Sequence, residues 1–352
     1  MRMGLPKIDI IFKTLAVSAV SRSARGIVAL IVRDTKTEVK IYNGIEEVKT
    51  TDFSAENIVH VKEAFYGTPS KVIVVPIGAE APLADALNTL KGMYFNYLAM
   101  PAATETDITD ITAFIKGQRT NKKRIYKAVL ANAAADDEGI INFTTTNIKM
   151  KDGKTKTTAD FTVRLASVFA GLPFTRSATY YAFSDVESID EHDDPNADID
   201  AGQLILINDG RKVKIGRAVN SLVTFTTEKS AIFSKIRIVE VVDMIREDIR
   251  MTFEDNYVGK YTNSFVNKMM FVTSVNAYFQ QLVIENALDA EGLNRARIDA
   301  EANKLYLESI GKDISTMNDS QLLRANTASN VFLAANISAL DSMEDLTFVI
   351  GL

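Results

Sequence analysis

Apolar residues recur along this chain with two periods, and each change of period marks the edge of an element. Near the start, Ile8, Ile10 and Phe12 fall on one side of an alternating pattern, with Asp9 and Lys13 on the other, which predicts a short strand. A Ser/Arg-rich stretch over residues 18–25 reads as a linker. From residue 26 strand and helix patterns alternate. Continuous apolar runs at 26–33 and 71–77 (KVIVVPI) predict buried strands, with weaker strand patterns at 38–42, 94–100, 124–132 and 139–144. Between them lie amphipathic helical stripes. Ser54 caps Ile58, Val61 and Phe65; Pro82 opens Leu83, Ala86, Leu87 and Leu90; Thr104 with Asp107 opens Ile108, Ile111 and Ile115. Buried strands alternating with helices predict an α/β fold whose mostly parallel sheet is covered on both faces.

The pattern loosens, then lengthens. Asp152-Gly153 marks a hairpin turn. Asp160 is placed to cap a helix with Phe161, Leu165, Val168, Phe169 and Leu172 inward, stopped by Gly171 and Pro173. Residues 189–202 form an acidic loop, and strands at 203–208 and 212–217 flank a turn at Asp209-Gly210. After Phe233 long helices dominate. One sets Ile238, Val242, Ile245, Ile249 and Phe253 against Glu240, Asp243, Glu247, Arg250 and Glu254; the next carries Phe265, Met269, Val272, Phe279 and Val283; a third is expected over 293–309. Strands close the chain at 331–340 and 347–352. These shifts divide it into an arm and linker (1–25), an α/β core (26–232), a C-terminal domain (233–340) and a terminal strand arm (341–352).

Composition narrows the classes. With 352 residues and 47% apolar side chains the chain can bury one large or two medium cores. Its 40 basic and 45 acidic residues leave −5, which gives no polyelectrolyte surface for nucleic acid. There is no cysteine, so disulfides and thiolate metal sites are ruled out. Lys7 and Asp9 interrupt the first apolar stretch, unlike a signal peptide, and no run is long enough for a bilayer; the expectation is a soluble protein made in the cytoplasm.

Candidate chemistry is sparse. A Ser-His-Asp relay needs a histidine, and only His60 and His192 exist. His60 is read on a solvated helix face beside Glu56 and Glu63; His192 lies in the acidic loop; neither accompanies a Gly-x-Ser-x-Gly elbow. Asn196, Asp198 and Asp200 alternate like calcium ligands, but Gly202 is misplaced for an EF-hand loop and Ile207 stands where its glutamate belongs, so a solvated loop is the preferred reading. Gly67-Thr68-Pro69-Ser70 precedes a strand rather than a helix and lacks the Gly-Lys-Ser/Thr of a phosphate loop. Lys122-Lys123-Arg124 reads as a surface turn, and Met269-Met270 as core rather than a partner groove. No catalytic residue, metal or cofactor is assigned.

The two ends carry the strongest signal. Each is a short apolar strand beside a linker, and a lone strand needs a partner for its N–H and C=O groups. Either both strands complete the molecule's own sheet, or they are donated to neighbouring copies. Ile8, Ile10 and Phe12, and Phe348, Ile350 and Leu352, are the candidate pairing residues; Ser18, Ser21, Ser23, Asp341 and Ser342 are the candidate hinges.

Several segments resemble the contractile tail sheath family. They are ASVFAGLPFTRSATY (166–180), the hairpin running into Arg-x-Val-Asn-Ser-Leu (198–224), VFLAANISALDSMEDLTFVIGL (331–352) and the early KVIVVPI. The resemblance spans nearly the whole chain in order. It implies a subtilisin-like α/β core, a C-terminal domain facing a tail tube, and arms paired with adjacent subunits. It further implies a homo-oligomer of stacked hexameric rings forming a helical sheath, with tail tube, baseplate and tail terminator proteins as partners and no direct contact with nucleic acid or membrane. Assembly would occur in a bacterial cytoplasm, within a virion tail or a released tail-like particle. Long inserted surface domains are lacking. A non-contractile scaffold or binding module with this core, and a degenerate subtilisin-like hydrolase, are the alternatives.

Overall fold

The structure, a computed structural model, describes Val20 and residues 26–351. Residues Ile8, Ile10, Phe12, Ser18, Ser21, Ser23 and Leu352 therefore lie outside the described residues. Contacts divide the described chain into two units, one of residues 26–247 and 339–351, the other of 248–338.

The larger unit is built on a seven-stranded sheet. Its strands are β1 (Ile27–Arg33), β2 (Lys40–Tyr42), β3 (Lys71–Ile77), β4 (Tyr97–Ala99), β5 (Lys127–Ala131), β6 (Ile140–Phe143) and, later in the chain, β11 (Gln203–Leu204). They lie in the order β11-β6-β5-β4-β1-β3-β2, with every pairing parallel except β2 against β3. This is the mixed α/β fold with a mostly parallel main sheet that the alternation predicts. The crossovers include α1 (Ala55–Glu63), α2 (Leu83–Leu90), α3 (Glu105–Lys122) and α4 (Thr158–Gly171).

The pleat sorts β1 into two cores. Val28, Leu30 and Val32 join one with Ile58, Val61 and the inward side of α4; Ile27, Ala29 and Ile31 join the other with Leu83, Leu87, Leu90, Ile111 and Ile115. Each Leu or Ile removed from water in this way contributes about 1.5–3 kcal/mol. Two small antiparallel sheets join the first core's side. One comprises β7 (Ile148–Met150), β8 (Thr155–Lys156) and β10 (Val186–Ser188); the other β9 (Ala182–Phe183), β12 (Leu206–Asn208) and β13 (Val213–Ile215).

Caps follow the sequence closely, with corrections. Ser54 accepts from the Asn57 amide, and Thr104 with Asp107 forms a full capping box. The cap of α4 is Thr157, not Asp160; Asp160 is the reciprocal third residue, accepting from the Thr157 amide. Part of the acidic loop is a helix, α5 (Pro195–Asp200), because Asp194 caps the Asn196 and Ala197 amides and Pro195 needs no donor. The turn before β3 packs against the end of α4 so closely that a Cβ on Gly171 would sit 1.7 Å from the Gly67 carbonyl oxygen. The Gly67-to-Ser70 segment is thus a packing turn, with the Gly67 amide donating to Ser167 Oγ at 2.7 Å.

Helix α6 (Ile236–Asn256) contains the division between units. Its expected solvent face is not one: Asp243 and Glu247 are buried. Arg119 grips Asp243 at 2.8 and 3.1 Å, and Lys127 reaches both Asp243 and Glu240 at 3.0 Å. Countercharges from α3 and β5 make that burial tolerable.

The smaller unit holds α7 (Phe265–Ile284), β14 (Arg295–Ile298), α8 (Ala300–Ser309), α9 (Asp319–Arg324) and β15 (Leu333–Asn336). The expected third helix is β14 plus α8. Residues 295–298 alternate exposed and buried, the period of a strand, and Asp299 then caps α8 through the Ala302 amide. On α7 the buried stripe is Phe271, Val272, Val275, Tyr278, Phe279 and Leu282; Met269, expected in the core, is exposed. Tyr278 donates to Asp248 at 2.6 Å inside this core. Among the described residues no helix is long and apolar enough to cross a membrane.

Candidate assembly surface at the C-terminal segment

The last described residues change character at Asp345. Upstream, the segment is clamped to the larger unit. The Glu344 side chain is 6% exposed and sits over the loop that follows α4. Thr179 Oγ1 donates to it at 2.7 Å and Ser177 Oγ lies 3.3 Å away. Lys235 stands 3.3 Å and Arg217 3.6 Å from the same carboxylate. The two cations are also shared: Lys235 pairs with Asp341, and Arg217 with Asp345 at 2.6 Å. Burial pulls the Lys235 ammonium down, but the bond to Asp341 and the nearby Glu344 charge outweigh it, and its pKa is raised above the ordinary lysine value. The clamp is held from beneath. Thr179 Oγ1 accepts from the Ala218 amide at 3.0 Å, and Asn220 bonds the Phe233 carbonyl at 2.7 Å, which sets the approach to Lys235.

Beyond Asp345 the restraint ends. Leu346, Phe348, Val349 and Ile350 are 88, 75, 87 and 70% exposed, and residues 346–351 belong to no strand or helix. Phe348 and Ile350 thus lie together on an apolar segment without a ladder partner among the described residues. Asp341 is fixed by Lys235, and the Ser342 amide donates to Asp341 at 2.7 Å.

The smaller unit presents the complementary feature, a two-stranded ribbon of β14 and β15. Its edges are unequal. Ala296 gives both its N–H and its C=O to the side-chain amide of Asn276 on α7, at 2.7 and 3.1 Å, so its backbone faces away from β15. Ala335 lies opposite Ala296 in the register, which makes this the non-hydrogen-bonded kind of pair. By alternation Leu333 and Ala335 turn their N–H and C=O outward, while Ala334 and Asn336 face β14. Asn276 therefore covers the outer edge of β14 at Ala296, and among the described residues nothing pairs with the outer edge of β15.

The histidines are placed differently from expectation. His60 is not on a solvated face; it is 8% exposed, with Nε2 3.7 Å from Asp160. Burial pushes its pKa below the ordinary value, against the opposing pull of Asp160. The groove around it, about 610 Å³, is lined by charges closed on one another: Arg164 holds Glu63 at 2.6 Å and Asp185 at 2.7 Å, and Lys156 holds Glu63 at 2.9 Å. His192 does meet a hydroxyl and a carboxylate. Thr145 Oγ1 lies 2.9 Å from Nε2, and Nδ1 lies 2.7 Å from Asp198. That order mimics a catalytic relay, but Thr145 is fully buried and its oxygen already accepts from the Leu206 amide at 2.8 Å. The set fastens α5 to the end of β6. Asp198 is thereby occupied, and Asn196 and Asp200 sit with it on a single short helix.

Comparison with known proteins decides the class. The tail sheath protein of Clostridium phage phiCD119 is 38% identical over 353 residues, covering 97% of this chain and 98% of its own. Residues 78–221 match the phage tail sheath protein central domain and residues 228–352 the phage tail sheath C-terminal domain. The chain belongs to the phage tail sheath family. It is a structural subunit of a tail sheath, as the resemblance in four sequence segments implies. The phage-like element PBSX protein XkdK of Bacillus subtilis is 34% identical over 171 residues, spanning 47% of this chain and 36% of that protein. The fold is shared with a sheath tail protein of Desulfitobacterium hafniense (TM-score 0.69, 16% identity, 83% of this chain and 94% of that one). It is shared too with the contracted helical sheath of the anti-feeding prophage (TM-score 0.69, 12% identity, 99% of each chain).

The Glu344 clamp and the unequal ribbon edges escape sequence reasoning. Glu344 and Arg217 both fall in segments that carry the family resemblance, but nothing in the sequence joins residues so far apart. Asn276 in a helix reads as a surface amide.

Proposed function

We propose that this sheath subunit polymerises around a tail tube as stacked six-fold rings, and that copies are linked by donated terminal strands. The observation that carries the reading is the apolar segment 346–351, exposed, together with an outer edge of β15, neither having a ladder partner among the described residues. Adding the C-terminal segment of one copy to β15 of another would satisfy both sets of backbone groups and cover Phe348 and Ile350. Ile8, Ile10 and Phe12 would serve a second neighbour in the same manner. The clamp at Glu344 fixes where the C-terminal arm leaves its own subunit; Ser342 and Leu346, on either side of it, would supply the bend, with Ser18, Ser21 and Ser23 at the other end.

Contraction follows from the same joints. Subunits would move as rigid bodies while the ladders hold, and bury more mutual surface in the contracted form. An extra ~100–200 Å² of apolar burial gives about 2.5–5 kcal/mol per subunit, summed over the polymer. The extended form is then a kinetic trap, released at the baseplate, with no nucleotide or cofactor required. The subunit acts as a structural element and not as an enzyme, and the closed geometry around His60 and His192 supports this.

The test is a chain ending at Asp345. It should remain a folded monomer by circular dichroism and fail to form cylinders on tube protein in negative-stain images. Cylinders of normal appearance from the truncated chain would remove strand donation from the account.

A further inference from the structure

In the smaller unit a groove of about 410 Å³ opens among Phe253, Tyr257, Tyr261, Asn267, Phe271 and Val331. Its aromatic wall is continuous, with ring centroids of Tyr257 and Phe271 4.7 Å apart and of Tyr257 and Tyr261 5.3 Å apart. Lys268 also lines this groove and is 3% exposed. Its ammonium donates to Thr327 Oγ1 at 2.9 Å, and that hydroxyl passes its own proton to the Asn330 carbonyl at 2.5 Å. No carboxylate among the described residues pairs with Lys268. Burial alone acts on it, pushing its pKa down. A buried cation lining a groove walled with rings, hydrogen-bonded to one hydroxyl among the described residues, is a costly arrangement unless an anion arrives.

The two arms differ in what they can bring. The C-terminal segment beyond Asp345 has no acidic side chain. The N-terminal segment has one: Asp9, set between Ile8 and Ile10, is the only acidic residue before Asp34. A single carboxylate in an apolar segment of alternating pattern matches a single ammonium in an aromatic groove. We propose that the groove at Lys268 receives the N-terminal segment of a second copy as an extended chain, with Asp9 as the counter-ion of Lys268 and Ile11, two residues on, against the rings. This inference rests on the polymerising reading above and assigns the N-terminal joint a place and a chemistry. Aromatic contact supplies adhesion, and the ion pair, formed only when the groove is closed over, fixes the register.

The experiment uses the full chain with K268M, D9N and the double variant, plus the chain ending at Asp345. K268M removes a buried charge that has no carboxylate partner among the described residues and keeps the volume, so the unassembled subunit should melt at a higher temperature while its assembly on tubes needs at least about tenfold more protein. D9N should leave melting unchanged and weaken assembly to a similar degree. The double variant should assemble no worse than either single one, because both remove the same contact. Normal assembly of K268M, or penalties of K268M and D9N that simply add, would overturn the proposal. If those results appear while the chain ending at Asp345 still cannot assemble, the polymerising reading stands and the Lys268 pairing alone is lost; if the shortened chain assembles normally, that reading fails on its own account.

Discussion

Replacing Glu344 by alanine tests whether the C-terminal arm is anchored where the structure places it. The carboxylate accepts one short bond from Thr179 and neutralises part of Lys235 and Arg217. A hydrogen bond to a buried charged group contributes about 1.5–3 kcal/mol. The cations are not orphaned by the substitution, since Asp341 remains with Lys235 and Asp345 with Arg217. The Asp345 pair is exposed and worth at most about 1 kcal/mol. The net loss is therefore one buried charged bond plus a share of Lys235, about 2–3 kcal/mol. It falls on local release of residues 339–345, not on global unfolding, because the main sheet and its two cores do not include this segment. An opening equilibrium shifted by 2–3 kcal/mol rises roughly 30- to 150-fold. Hydrogen exchange read by mass spectrometry should show it in two peptides. The one with residues 339–351 exchanges faster, and so does the one with Ala218, whose amide bonds to Thr179 Oγ1. Glu344→Gln, which keeps an acceptor but not the charge, should fall between. Unchanged exchange in both peptides of E344A, with the same melting temperature, would refute the anchor.

Two further outcomes follow from buried charges in the larger unit. Asp243→Ala leaves Arg119 with only Glu138 at 3.4 Å and Lys127 with only Glu240 at 3.0 Å, and both side chains, 6% and 2% exposed, lose their shared buried carboxylate; urea unfolding should show a loss of about 3 kcal/mol, and a loss under 1 would contradict the packing. His60 is held neutral by burial, so below its ordinary 6.5 the unfolded chain takes up a proton that the folded chain refuses. Stability from this group is present above that value and falls as pH drops through it; the difference in unfolding midpoint between about pH 7.5 and pH 5.5 should shrink in His60→Gln, and an identical pH slope would exclude the assignment.

The contrast between what was legible and what was not follows the range of the interactions. Alternation and 3.6-residue stripes place most strands and helices of the larger unit. Local caps such as Ser54 and the Thr104–Asp107 pair lie within three residues of what they bond, so the sequence displays them. The apolar character of 346–351 is legible for the same reason, although the strand expected there is absent among the described residues because no partner strand lies beside it, and the ordered set of four family-like segments makes the class readable.

Misreadings occur where a distant element sets the environment. Asp243 and Glu247 look like a solvent face because helical periodicity cannot know that Arg119 and Lys127 wait on α3 and β5. His60 looks solvated beside two glutamates until Asp160 and the β7–β8 hairpin enclose it. The third helix fails because a short strand at 295–298 needs β15, some forty residues on, to become one. The alternating architecture, the family and the apolar character of the C-terminal segment were readable from the chain alone, since these rest on local period and composition. Only the folded chain reveals the Glu344 clamp, the Asn276 cover on the β14 edge and the burial of Lys268 without a carboxylate partner among the described residues, because charge pairing and edge accessibility exist only once remote segments share a few ångströms.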